Sequence, residues 1–235
     1  MPVSPTNLKE LEKTIGVEFK DPKLAQQAFV HRSYLNEHPT FVLGHNERLE
    51  FLGDAVLELV VTEYLYEHYP SSPEGELTNW RASLVNAHML ASVAIDLGLE
   101  PFMYLSRGEA KERNGRARQY ILANAVEALI GALYLDQGID ACRAMIGQFI
   151  LARLPAILES KSYMDPKSRF QEIAQEKFGI TPRYQVMEET GPDHNKHFSV
   201  GVFLDADHVA TGEGMSKQEA QIQAAEKGLE AKGWT

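Results

Sequence analysis

The sequence predicts an all-α domain over residues 1–158, a linker at 159–164, and a small α+β domain over residues 165–235 in the order α-β-β-β-α. Three observations carry this expectation. Apolar residues recur at helical spacing almost without a break from Leu8 to Leu158, with no βαβ rhythm and no repeat. The run Glu159-Ser160-Lys161-Ser162-Tyr163-Met164 is short and polar. Beyond it, Phe198, Val200, Val202 and Leu204 alternate with the period of a half-buried strand.

Taken in order, residues 8–15 are periodic and end at Gly16. Residues 22–30 follow Asp21, an N-cap with Pro22 at the first helical position. A long helix around residues 45–68 stops at Pro70-Ser71-Ser72-Pro73, and residues 77–96 continue the pattern to Gly98. Residues 106–118 are polar and basic and read as a mobile loop. Residues 121–135 and 140–158 give two more helices. In the second domain, residues 167–178 read as helix, 183–189, 197–204 and 208–212 as strands, and 216–232 as helix. Ser216 caps this last helix, with Glu219 at the capping-box position.

A hydrophobic content of 44% and a charged content of 24% suit a folded globular chain and argue against disorder. The net charge of −10 argues, taken alone, against a nucleic-acid partner, because phosphate contacts come from Lys and Arg. An acidic metal site would pull the total down without barring such a partner elsewhere on the surface. The single Cys142 excludes an intramolecular disulfide and suits a reducing, cytoplasmic setting. Residues 1–5 lack a basic segment leading into an apolar one, so no signal peptide is expected. No apolar run reaches the ~18 residues of a membrane span.

The chemistry concentrates in the long helix. Glu47, Glu50, Asp54 and Glu58 lie at spacings of three, four and four, which puts all four within an arc of roughly 80°. Leu49, Phe51, Leu52, Ala55, Val56 and Leu57 make the rest of the surface apolar, and such a helix is normally buried. Carboxylates there resist desolvation unless a cation satisfies them. Gly53 inside the helix costs about 1 kcal/mol against Ala and needs a packing reason. In the apolar run 121–135, Glu127 is the one charged side chain and Asn124 lies a turn before it. Together these form two halves of an oxygen-only cage, which favours Mg²⁺, with Mn²⁺ as a substitute, over zinc. The competing possibilities are a solvated acidic stripe and a buried helix with one satisfied glutamate.

These residues resemble a known family. The stretch from His45 to Leu57, with Asn46-Glu47-Arg48-Leu49-Glu50-Phe51-Leu52-Gly53-Asp54 at its centre, is similar to the signature of bacterial ribonuclease III. His31-Arg32-Ser33-Tyr34 and Glu127-Ala128-Leu129-Ile130-Gly131-Ala132 are similar to other parts of that family, and residues 165–235 resemble its double-stranded RNA-binding domain. The resemblance implies a homodimeric endonuclease of rRNA and mRNA processing. It would cut double-stranded RNA to 5′-phosphate and 3′-hydroxyl ends with short 3′ overhangs. It implies metal ligation by Glu50, Asp54 and Glu127, and acidic valley positions at Glu47 and Glu74. Glu58 matches no such position and is expected to be peripheral.

The chain departs from the pattern at Asn124, where the family has Asp. An amide oxygen ligates as a neutral group, so metal affinity should fall. A catalytically weakened or silent duplex-binding protein is the competing expectation, and Asn124 is its support. In the second domain the resemblance implies RNA contacts from Ser168, Gln171 and Glu172, from the loop holding His194 and Lys196, and from Ser216, Lys217, Gln218 and Gln221. The family's last helix begins with further lysines where Gln218 and Gln221 stand. Residues 165–235 carry eight Lys and Arg against twelve Asp and Glu, so weak binding by this domain alone is expected. Arg107, Lys111, Arg113, Arg116 and Arg118 are candidates for additional phosphate contacts.

Overall fold

The helices that the apolar periodicity predicts are present in the computed structural model, which describes residues 5–112, 115–161, 163, 165–192 and 196–234, with side chains from Leu8 onward. The chain divides into two units, Met1–Ile157 and Leu158–Thr235. The first comprises α1 (Pro5–Ile15), α2 (Pro22–Gln27), α3 (Arg32–Glu37), α4 (Glu47–His68), α5 (Glu74–Val85), α6 (Ala87–Asp96), α7 (Arg107–Lys111), α8 (Arg116–Gln137), α9 (Ile139–Phe149) and α10, which runs on to the linker (Leu154–Ser160).

Helix α8 is the axis of this unit. From Ile121 to Leu133 every residue is buried except Asn124 and Glu127. α4 packs along it through Leu49, Gly53, Val56, Val60 and neighbouring buried residues, and α6 packs against it as well. The start of α4 is pinned by Asn46, which is 2% exposed. Its side chain donates to the Ala28 carbonyl at 3.0 Å, and its backbone N–H donates to the Val30 carbonyl at 2.8 Å. The segment leading into α3 is held in turn, because His31 N–H donates to the Tyr104 carbonyl at 3.1 Å.

Four expectations need correction. Residues 77–96 are two helices, because Asn86 is extended and accepts the Met89 N–H at 2.9 Å as the N-cap of α6. Residues 106–118 are not one mobile loop. Ser106 caps the short α7, and its N–H donates to the Ser33 hydroxyl at 3.1 Å, while α8 already begins at Arg116. α4 is not buried around most of its circumference, since Phe51 is 82% exposed and Leu59 and Tyr66 are exposed as well. By mean hydropathy the stretch Ile139–Ser160 does reach the length and apolarity of a membrane span. It is nevertheless broken at Ile150 into α9, a 3₁₀ turn at Leu151–Arg153 and α10.

The second unit contains α11 (Pro166–Phe178), β1 (Arg183–Thr190), β2 (His197–Leu204), β3 (Asp207–Gly214) and α12 (Lys217–Lys232). The sheet is antiparallel in the order β1-β2-β3, with Tyr184 opposite Val202 and Val202 opposite Ala210. The alternation in β2 buries Phe198, Val200, Val202 and Leu204. Val202 and Leu204 join Phe170, Ala174, Ala224, Ala225, Leu229 and Trp234 in the main core, and Phe198 and Val200 pack with Ala220. Both helices are capped by side chains: Asp165 accepts from the N–H groups of Lys167 and Ser168, and Ser216 accepts from that of Glu219. Glu219 reaches back to the Met215 N–H at 2.8 Å, so the reciprocal bond lands one residue before the cap.

Candidate active site and nucleic-acid interface

Two backbones that nearly touch bring the carboxylates together. A Cβ on Gly53 would lie 1.7 Å from the Glu127 carbonyl oxygen, and one on Gly131 would lie 2.1 Å from that of Leu49. Only glycine permits this crossing of α4 on α8, which supplies the packing reason the sequence requires. It sets Glu127 and Asn124, the two positions between Ile121 and Leu133 that escape burial, beside Glu50 and Asp54 of α4.

The electrostatics follow from this proximity. The Glu127 carboxyl is pushed up to about 8, first by burial and then by the charges of Asp54 and Glu50. Glu50 is raised too, by burial, then by Glu47 and by Asp54, while a hydrogen bond from Asn124 pulls it back. The Asn124 amide is thus a donor to Glu50 where an aspartate would add a like charge. Among the described residues, no Lys or Arg forms an ion pair with Glu50, Asp54 or Glu127. Crowded, partly desolvated carboxylates with an amide oxygen beside them are the donor set of a hard divalent cation. The residues therefore fit Mg²⁺ or Mn²⁺ in kind. As they stand, no three His, Cys, Asp or Glu side chains among the described residues converge closely enough to ligate one ion.

Glu47, one turn before Glu50, is oriented by residues for which the sequence offers no role. Arg32 Nε lies 3.5 Å from one carboxylate oxygen and His45 Nδ1 lies 3.7 Å from the other. His31 stands close by, its imidazole shifted down by burial against the opposing pull of Glu109 and Glu47. The His31-Arg32 pair immediately before a short capped helix was the available signal. Glu74 does not join the cluster. It opens α5, accepts from the Thr78 hydroxyl at 3.0 Å and lines a cavity of about 250 Å³ with Tyr66 and Arg81. Glu58 is exposed and is not among the charges that shift Glu50 or Glu127.

Of the basic candidates at 107–118, Arg107, Lys111 and Arg116 are exposed, and Arg113 lies outside the described residues. Arg118 is 7% exposed, and its Nε and one terminal nitrogen donate to Glu100 at 3.1 and 2.5 Å. It is committed to the fold and not to a phosphate.

In the second unit, Ser168, Gln171 and Glu172 are exposed on α11, and Lys217 and Gln218 on the first turn of α12. Several candidates already have partners. Ser168 donates its hydroxyl to Asp165, Glu172 pairs with Lys161 at 3.3 Å, and Gln221 accepts from Lys167 at 2.7 Å. Lys196 pairs with Glu189 at 2.6 Å, and Lys217 lies 5.6 Å from the centre of the Phe198 ring. His194 lies outside the described residues.

Comparison with known proteins agrees with this layout. A family model described as ribonuclease-III-like matches residues 21–154, and one for the double-stranded RNA binding motif matches residues 166–232. The chain is 46% identical over 226 residues to Ribonuclease 3 of Chloroflexus aurantiacus, covering 95% of this chain and 91% of that protein. It is 43% identical over 232 residues to Ribonuclease 3 of Streptococcus pneumoniae, covering 95% and 99%. Among solved structures, a nuclease domain of ribonuclease III from Campylobacter jejuni aligns with a TM-score of 0.56 at 38% identity. It covers 63% of this chain and 99% of its own, and is described as flexible in a region involved in dimer formation.

Proposed function

The chain belongs to the ribonuclease III family and is an endoribonuclease of double-stranded RNA, and we propose that Glu50, Asp54 and Glu127, with Asn124 as a neutral fourth ligand, hold the Mg²⁺ (or Mn²⁺) it uses. The observation that carries this assignment is the close crossing at Gly53 and Gly131, which sets Glu127 against Glu50 and Asp54 and raises its carboxyl, with no Lys or Arg paired to the three among the described residues. A bound divalent cation would lower the pKa of a coordinated water and stabilise charge on the phosphate and on the departing 3′-oxygen.

The chain's own groups do the rest. Both Glu50 and Glu127 would ligate as carboxylates, so a proton that burial and neighbouring charge keep on Glu127 would have to leave for an ion to bind. Asn124 holds Glu50 in place by its hydrogen bond. Arg32 and His45 fix Glu47 at the edge of the cluster, where it can meet the scissile strand. None of the three carboxylate ligands is a nucleophile, and the 2′-hydroxyl is not required to attack. Water hydrolysis therefore gives 5′-phosphate and 3′-hydroxyl ends, with short 3′ overhangs when two such sites act across a duplex.

Two sites require two copies. Phe51, Leu59 and Tyr66 leave an exposed apolar strip along α4 that a second copy would cover, and the Campylobacter jejuni domain is noted for dimer formation. Glu74, which is not among the charges that shift Glu50 or Glu127, is assigned to the valley shared with the partner. In the second unit, α11, the segment between β1 and β2, and the start of α12 are assigned as the three contact regions that a duplex requires. We place the enzyme in the cytoplasm, acting on structured rRNA and mRNA precursors. Glu127→Gln tests the site assignment: cleavage of a long duplex is lost and duplex binding is kept, whereas retained metal-dependent turnover removes Glu127 from the ligand set.

A further inference from the structure

The first turns of α12 are poor in cations, with Gln218 after Lys217 and Gln221 one turn later. Residues 217 and 221 share one face of the helix. The structure brings an ammonium to that face from a different helix. Lys167, at the start of α11, donates from Nζ to Gln221 Oε1 at 2.7 Å and lies 5.1 Å from the centre of the Tyr184 ring.

Its partners set it apart from two other lysines of the unit. Lys161 and Lys196 are each paired with a glutamate, Glu172 and Glu189. Lys167 is half-buried and held by an amide oxygen and an aromatic face; the Asp165 carboxylate acts on it as a nearby charge but is engaged by Ser168 and by backbone N–H groups and forms no ion pair with it. An ammonium has three N–H donors, so the bond to Gln221 leaves others for an anion. The positioning also lowers the entropy lost when a flexible lysine is fixed on a ligand.

We propose that Lys167 is a phosphate-contact residue of the duplex-binding face, supplying from α11 the positive charge that the start of α12 lacks. The proposal rests on the duplex-binding reading of this unit, and Gln221 becomes the group that orients Lys167 in addition to being a contact.

The test uses the full chain in EDTA, so that RNA is bound without being cut. The RNA is a duplex longer than the ~16 bp such a domain spans, titrated at salt concentrations between about 50 and 200 mM. Lys167→Gln is expected to weaken binding about threefold to tenfold and to make the slope of log K against log[salt] shallower by about 0.9. Lys167→Met, which keeps the aliphatic stem against Tyr184, should give the same change, and Lys167→Arg should retain the slope. Adding Gln221→Lys to Lys167→Gln returns the charge to α12 and should restore the slope. If the unaltered chain binds and its slope is unchanged by Lys167→Gln and Lys167→Met, the proposal fails while duplex binding by this unit stands. Absence of duplex binding by the unaltered chain overturns both.

Discussion

The carbonyl oxygen of Glu127 occupies the space where a side chain on Gly53 would begin, 1.7 Å from the ideal Cβ position. The closeness of the two helices, and hence the crowding of the carboxylates, depends on that missing carbon. In an ordinary helix interior Gly→Ala stabilises by about 1 kcal/mol. Here Gly53→Ala must push α4 off α8 and should destabilise by about 3 kcal/mol, as overpacking against backbone does. A lowered urea midpoint with an unchanged denaturant slope would show this. A stabilised variant would mean that the crossing is looser than described.

The metal-free protein should lose stability as the pH rises from 4.5 to about 8. Glu127 titrates near 4.5 when unfolded and near 8 when folded, so in this window the unfolded state has lost a proton that the folded state keeps. Folding is unpenalised below the lower value, and the penalty is complete above the upper one. Solvent screening and relaxation of neighbouring groups reduce the effect to on the order of 2 kcal/mol. Urea unfolding in EDTA at pH 5 and pH 8 should reveal the loss, and Glu127→Gln should remove most of it. A flat profile in the unaltered chain would contradict the placement of Glu127 against Glu50 and Asp54.

Arg118 and Arg116 should separate a structural cation from an RNA-facing one. Arg118→Met leaves Glu100 without its buried partner, but Glu100 is half-exposed and can hydrate. A loss of about 2 kcal/mol in stability is therefore expected, below the usual cost of breaking a fully buried pair, with no change in the salt dependence of RNA binding. Arg116→Gln should do the reverse.

Glu189 restrains two candidate phosphate ligands. Its carboxyl is held below its ordinary range mainly by the hydrogen bond from Lys196, against a small opposing effect of burial, with further help from the charges of Lys196 and Lys217. RNA must displace it to engage Lys196, and its charge partly offsets that of Lys217. Glu189→Gln should tighten duplex binding about threefold, measured by titration in EDTA, as expected for removing one competing surface charge. Weaker binding would show that Glu189 instead holds the lysines in their working positions.

Much of this was legible in the sequence because it was written as periodicity. The alternation in β2 and the apolar run of α8, interrupted only at Asn124 and Glu127, fixed both a core and the two polar positions facing the site. Gly53 announced a close contact without saying with what. The breaks were harder to see. Asn86 and His31 end or begin helices by side-chain capping within otherwise periodic segments, and local pattern does not separate such a cap from a surface residue. The fate of Arg118 depends on Glu100, 18 residues away, and that of Lys167 on Gln221, 54 residues away. Phe51 reads as core by its type, yet the fold of one chain leaves it in solvent.

The central claim is that this cluster, with Asn124 in place of an aspartate, hydrolyses double-stranded RNA. The most direct measurement incubates a long RNA duplex with the unaltered chain and Mg²⁺, beside Asn124→Asp, and analyses product length and ends. Short duplexes with 5′-phosphate and 3′-hydroxyl ends are expected from both. Asn124→Asp should reach half-maximal rate at lower Mg²⁺, because a charged ligand replaces a neutral one. Products from Asn124→Asp alone would contradict the account and leave the unaltered chain a binder of duplex RNA that does not cut it.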